Sequence, residues 1–91
     1  MLTLIIDKIG LKMPSEKTGG ICQTIVLEDI DNRGKFYKLY LDDTFEHNKN
    51  WVPHMKKGTI IANCRTLTDP RYKTIIDGRS DFKVIHKKGG E

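Results

Sequence analysis

The residues of this chain best suited to chemistry on a ligand are Phe36, Lys38 and Tyr40, within Gly34-Lys35-Phe36-Tyr37-Lys38-Leu39-Tyr40-Leu41-Asp42. In a strand alternate side chains share a face, so Lys35, Tyr37, Leu39 and Leu41 point one way and Phe36, Lys38, Tyr40 and Asp42 the other. The first set makes a core face. The second is ring, ammonium, ring: flat surfaces on which nucleobases can stack, and a cation for the phosphates between them. Aromatic residues also favour strands for packing reasons alone, so such a row serves equally as barrel filling if it faces inward.

Other reactive side chains are scattered. Asp42, Asp43 and Glu46 form an acidic cluster of the kind that holds Mg²⁺, yet a strand end and a helix start attract carboxylates for dipole reasons. Ser15, Ser80, Cys22 and Cys64 have no histidine near them in sequence, and His47, His54 and His86 fall on no recognised zinc spacing. No catalytic residue, metal or other cofactor is expected, and the chain reads as a binding module, not an enzyme. The two cysteines stand apart in strand-like surroundings and are expected as buried reduced thiols, a disulfide between them being the alternative.

Ninety-one residues make one domain with a modest core. Hydrophobic residues at 37% and charged residues at 31% describe a soluble globular chain. The longest aliphatic run, Leu4-Ile5-Ile6, is far short of a membrane span, and the N-terminus lacks the features of a secretory signal, so a cytoplasmic protein with no membrane partner is expected. The net charge of +4 is unevenly spread. Residues 1–46 hold six Lys/Arg against eight Asp/Glu, whereas residues 47–91 hold ten against four, so a basic surface belongs mostly to the second half.

The elements that must position the row follow from the apolar spacing. Residues 2–13 read as a long first strand. Leu2, Leu4 and Ile6 share one parity and Ile9, Leu11 and Met13 the other, so a bulge near Asp7-Lys8, eased by Gly10, would return all six to one core. Residues 14–20 form a polar loop carrying Lys17; lacking a Gly-Lys-Ser/Thr ending and a following helix, it is no phosphate loop. A second strand over 21–29 places Ile21, Ile25 and Leu27 on one face, and the turn Asp31-Asn32-Arg33-Gly34 leads by a short hairpin into the strand of the row.

Thr44 reads as a helix N-cap, and Phe45, Val52 and Met55 fall at helical spacing, but Pro53 breaks the run, predicting a short or broken helix ending at Gly58. Trp51 is expected to plug one end of the core. A fourth strand over 59–67 gives Ile60, Ala62 and Cys64 one parity and Thr59, Ile61, Asn63, Arg65 and Leu67 the other. The turn at Thr68-Asp69-Pro70-Arg71 sends residues 72–76 back along it, with Arg71, Tyr72 and Lys73 near an exposed tip. Residues 80–85 read as strand, either bent from 72–76 or separate, and Lys87-Lys88-Gly89-Gly90-Glu91 as a frayed basic tail.

Five strands with a helical segment between the third and fourth is similar to the order of the oligonucleotide/oligosaccharide-binding (OB) fold, and "WVPHMKKGTII" resembles the end of its helix leading into strand four. The resemblance spans residues 2–86 and rests on pattern, not on a family motif. A small SH3-like barrel is the alternative, though its helical turn ordinarily precedes the last strand. The expected fold is thus all-β, a five-stranded OB-fold barrel over residues 1–86 with a short helical segment after strand three.

The resemblance implies single-strand binding by the outer face of strands two and three and the loops joining one to two and four to five. On this sequence those positions are Phe36, Lys38 and Tyr40 with Thr24 and Val26 beside them, Lys17, and Arg71, Tyr72 and Lys73; Arg65 of strand four joins them as a further cation. Compact single-strand binders of phages and mobile elements share this length without appendages, whereas bacterial ones usually end in an acidic tail that this chain lacks. The partners expected are single-stranded nucleic acid, DNA before RNA, and a second copy of the chain or a replication protein. The rival expectation is an OB-type interaction or structural module of a larger assembly, its aromatic row buried against a protein.

Overall fold

A computed structural model describes residues 1–86; the tail expected over 87–91 lies outside the described residues. The strands are β1 (Leu2–Ile9), β2 (Met13–Pro14), β3 (Ile21–Asp29), β4 (Phe36–Asp42), β5 (Ile60–Cys64) and β6 (Lys83–His86). Three 3-10 turns, Glu46–Asn50, Val52–His54 and Pro70–Tyr72, complete the regular structure, so the domain is all-β. β1 lies between β3 and β5, antiparallel to both. β2 continues along the same edge of β3, β4 takes the other edge of β3, and β6 flanks β5. No helix among the described residues is long and apolar enough to cross a membrane.

The bulge expected in the first strand is present: β1 and β3 shift register between Ile6 and Lys8, leaving Asp7 unpaired. The chain then leaves the ladder at Gly10, whose amide donates to Thr24 O at 2.9 Å. A Cβ at Gly10 would stand 2.7 Å from that oxygen, so the approach admits only glycine. The bulge does not bury the second half of the strand as expected. Leu11 and Met13 are exposed and Ile9 partly so; across a groove from Ile9 the chain winds as short 3-10 turns that present Val52 and Met55 in place of a covering helix.

The β3–β4 hairpin has the expected antiparallel pairing from Cys22 opposite Asp42 to Glu28 opposite Phe36. Its turn is closed by Gly34 at φ +93° and pinned by Glu28, which accepts from Arg33 Nη2 and the Gly34 amide, each at 2.8 Å. The Arg33 bond, then that of Gly34, holds the Glu28 carboxyl below the ordinary range.

The helix expected after Asp43 is replaced by the two 3-10 turns, and Thr44 does not cap it: its hydroxyl and amide both bond Asp42 Oδ1, while Phe45 occupies the cap without a side-chain bond. Pro53 and the competing side-chain bonds explain why no longer helix forms. Trp51 is fully buried as expected, donating to Gly78 O at 2.8 Å and stacked 3.9 Å from Phe82.

In β5 the expected alternation fails at Asn63, which takes φ +64°. The ladder with β1 accordingly shifts, and Ile61 and Cys64, of opposite parity, are both fully buried. Burial pushes the Cys64 thiol up to about 12, while Cys22 is half-buried and so departs from expectation; both are free thiols.

The sheet does not close as a hydrogen-bonded barrel. β4 and β6 are its ends, and between them residues 75–76 form single bridges, Ile75 parallel to Lys38 and Ile76 antiparallel to Thr66. The backbone from Pro70 to Ser80 is spent on the Pro70–Tyr72 turn and the turn closed by Ser80 N–H to Asp77 O, which leaves too little extended chain for a continuous closing strand. The last strand is therefore Lys83–His86, separate from 72–76.

Candidate nucleic-acid interface

Every second residue of β4 faces the core: Tyr37, Leu39 and Leu41 are 3%, 0% and 5% exposed. Phe36 and Tyr40 are 46% and 43% exposed with Lys38 between them, so ring, ammonium and ring stand outward over roughly 13 Å of strand. The paired residues of β3 on this face are Glu28, Val26 and Thr24. Asp42, grouped with the outward residues by parity, is instead buried at the strand end.

Both backbone groups of Lys38 turn away from β3. Its amide donates to Thr74 O and its carbonyl accepts from Ile76 N–H, each at 2.8 Å. Because the bridge is parallel, Lys73 falls toward the Phe36 end of β4 and Asp77 to Arg79 toward the Tyr40 end. There Tyr40, Phe45, His47, Leu67, Ile75 and Arg79 border a groove of about 340 Å³. Phe45 and His47 stack with centroids 5.7 Å apart, adding a second aromatic surface beside Tyr40.

The cations predicted for this surface are not equivalent. Arg71 is exposed at the expected tip but engaged by Asp69 through Nε at 3.2 Å and Nη2 at 2.8 Å, with Tyr72 against its guanidinium at 5.6 Å. These bonds hold the Asp69 carboxyl low and raise Arg71. Arg65 reaches Asp77 at 3.4 Å and Arg79 O at 3.3 Å. Among the described residues no carboxylate pairs with Lys38, Lys73, Lys17 or Arg79.

Lys17 sits apart from the 65–79 group. Its loop is held at the far end of β4 by Thr18 Oγ1, which donates to Asp42 Oδ2 at 2.6 Å, and by Ile21 N–H to Asp43 Oδ1. The structure thus sets Phe36, Lys38 and Tyr40 on one strand face with Lys73 toward its Phe36 end, puts Tyr72 against Arg71, leaves Lys17 at the margin, and engages Arg71, and Arg65 through Nη2 alone, with acids.

Sequence reasoning missed Phe45, His47 and Arg79. Helical spacing is all that the sequence shows of Phe45, and the approach of His47 and Arg79 depends on the 3-10 turns and the parallel bridge, which no local pattern announces. Compared with known proteins, the chain matches no protein-family model, no curated protein and no solved structure.

Proposed function

We propose that the protein is an OB-type domain that binds single-stranded nucleic acid, DNA before RNA, with little sequence preference. The observation that carries this reading is the exposed Phe36, Lys38, Tyr40 row on a sheet face, bordered by Lys73 and Arg79 without acidic partners. Each ring offers a π-face to any base, and the ammonium lies where a backbone between two stacked bases runs. The strand order supports the OB reading: β1 pairs both β3 and β5, and the segment before β6 approaches β4 in parallel.

The test is a mixed-sequence oligonucleotide of about 15 to 20 nucleotides titrated at several salt concentrations. With Lys38, Lys73 and Arg79 neutralising about three phosphates, log affinity against log salt should slope near −2. No binding at low salt would remove the proposal.

A second reading, a protein-interaction module, is favoured by the exposed Leu11, Met13, Ile21 and Val52. An interface built on these residues would be nearly indifferent to salt and to loss of Phe36.

A further inference from the structure

A hollow of about 430 Å³ opens beside the Phe36 end of β4. Lys35 and Tyr37 line it from the start of that strand, Arg65 and Thr66 from the chain leaving β5, and Lys73 from the segment bridged to β4. Three cationic side chains from three separate stretches therefore meet in one concavity, and no acidic residue lines it. Lys35 and Lys73 have no carboxylate partner among the described residues, and Arg65 commits only Nη2 to Asp77 and Arg79 O. Its remaining N–H groups are free to donate.

Tyr37 adds a phenol to the lining, on a side chain otherwise packed in the core at 3% exposure. Its hydroxyl can both donate and accept a hydrogen bond. Lys35 Nζ stands 5.5 Å from the centre of the same ring, so hydroxyl and ammonium belong to one small neighbourhood.

We propose that this hollow is a phosphate pocket, taking a phosphomonoester such as the terminal phosphate of a nucleic-acid strand. A compact oxyanion of charge near −2 with several acceptor oxygens matches three cations, a phenol and the Thr66 hydroxyl. An internal phosphodiester carries a single charge and continues on both sides, which suits an open strand face better than a concavity floored by Leu2 and Cys64. The strand-end source rests on the nucleic-acid reading; affinity for phosphate itself does not.

The experiment is a titration of the ¹⁵N-labelled chain with inorganic phosphate at constant ionic strength, followed by amide shifts. Saturable shifts are expected at Lys35, Tyr37, Arg65 and Lys73. A K35Q/K73Q double variant should weaken phosphate at least about ten-fold, two lost charge-assisted contacts being involved, while its melting temperature stays unchanged. Y37F, which keeps the ring packing, should weaken it several-fold, whereas F36A should leave it unaltered. Absent shifts, or shifts that K35Q/K73Q leaves intact, overturn the pocket.

Oligonucleotides ending in 5′-phosphate, 3′-phosphate or hydroxyl then identify the source. Tighter binding of one phosphorylated end, lost in K35Q/K73Q, supports strand-end capture. Equal binding of all three alongside phosphate shifts overturns strand-end capture and assigns the pocket to a free phosphate compound. Phosphate shifts with no oligonucleotide binding retain the pocket and remove the nucleic-acid reading.

Discussion

Lys38 and Ile75 lie side by side in a parallel bridge one residue long, through which Lys38 bonds Thr74 O and Ile76 N–H. That bridge ties the segment following Tyr72 and Lys73 to the middle of β4. Since both bonds break when the 72–76 segment lifts, the Lys38 and Ile76 amides should show matching protection in hydrogen exchange. Rates differing by more than about ten-fold would mean that the two ends of the bridge open independently.

Stacking and packing separate cleanly along β4. Phe36→Ala and Tyr40→Ala should each cost about 1 to 3 kcal/mol of oligonucleotide binding with little change in the unfolding midpoint. Leu39→Ala, at a fully buried position, should instead destabilise the fold by about 2 to 5 kcal/mol. Denaturant unfolding and a binding isotherm on each variant decide it. Loss of fold in the Phe36 variant would contradict its outward placement.

Asp69 occupies a cation that a phosphate would otherwise engage. Asp69→Ala should free Arg71, tightening single-strand binding and making the salt slope more negative by about 0.7. An unchanged slope places Arg71 outside the path of the strand.

Asp42 anchors the loop of Lys17 at the end of β4. The Thr18 hydroxyl first, then the Thr44 hydroxyl and amide, hold its carboxyl below the ordinary value. Its folded value being depressed, the contribution is complete above the unfolded value of about 3.9 and disappears as pH falls through the folded one. The stability difference between wild type and Asp42→Asn should thus be larger at about pH 7 than at about pH 3. Equal differences at both would show that the charge is immaterial.

The register of β4 was legible because a strand has two faces, and Tyr37, Leu39 and Leu41 together outweigh any reversed assignment. The bulge at Asp7 was legible from the change of parity after Ile6, and Gly34 from its place in the turn. Asn63 was not legible: a polar residue in a strand gives no sign that it will enter the left-handed region, where Asn is tolerated, and so turn Ile61 and Cys64 to the same side. Nor was the exposure of Leu11 and Met13, since apolar character records what a side chain prefers and not whether another segment arrives to cover it. The Asp69–Arg71 pair was within reach, because an aspartate that caps a turn two residues before an arginine places both on one side of the chain.

The central position of β1 has a kinetic consequence. Leu4 lies opposite Asp29 on one edge and near Ile61 on the other, so the earliest strand in the chain completes its pairing only after a much later one arrives. The entropy of closing that long loop must be met before the β5 ladder returns anything, which places folding in the millisecond-to-second range typical of non-local β topologies. Until β5 docks, one edge of β1 is open, and Leu11 and Met13 stand uncovered further along the chain. Two unfinished copies meeting in that interval would find a free strand edge with an apolar neighbour, making refolding yield fall as concentration rises.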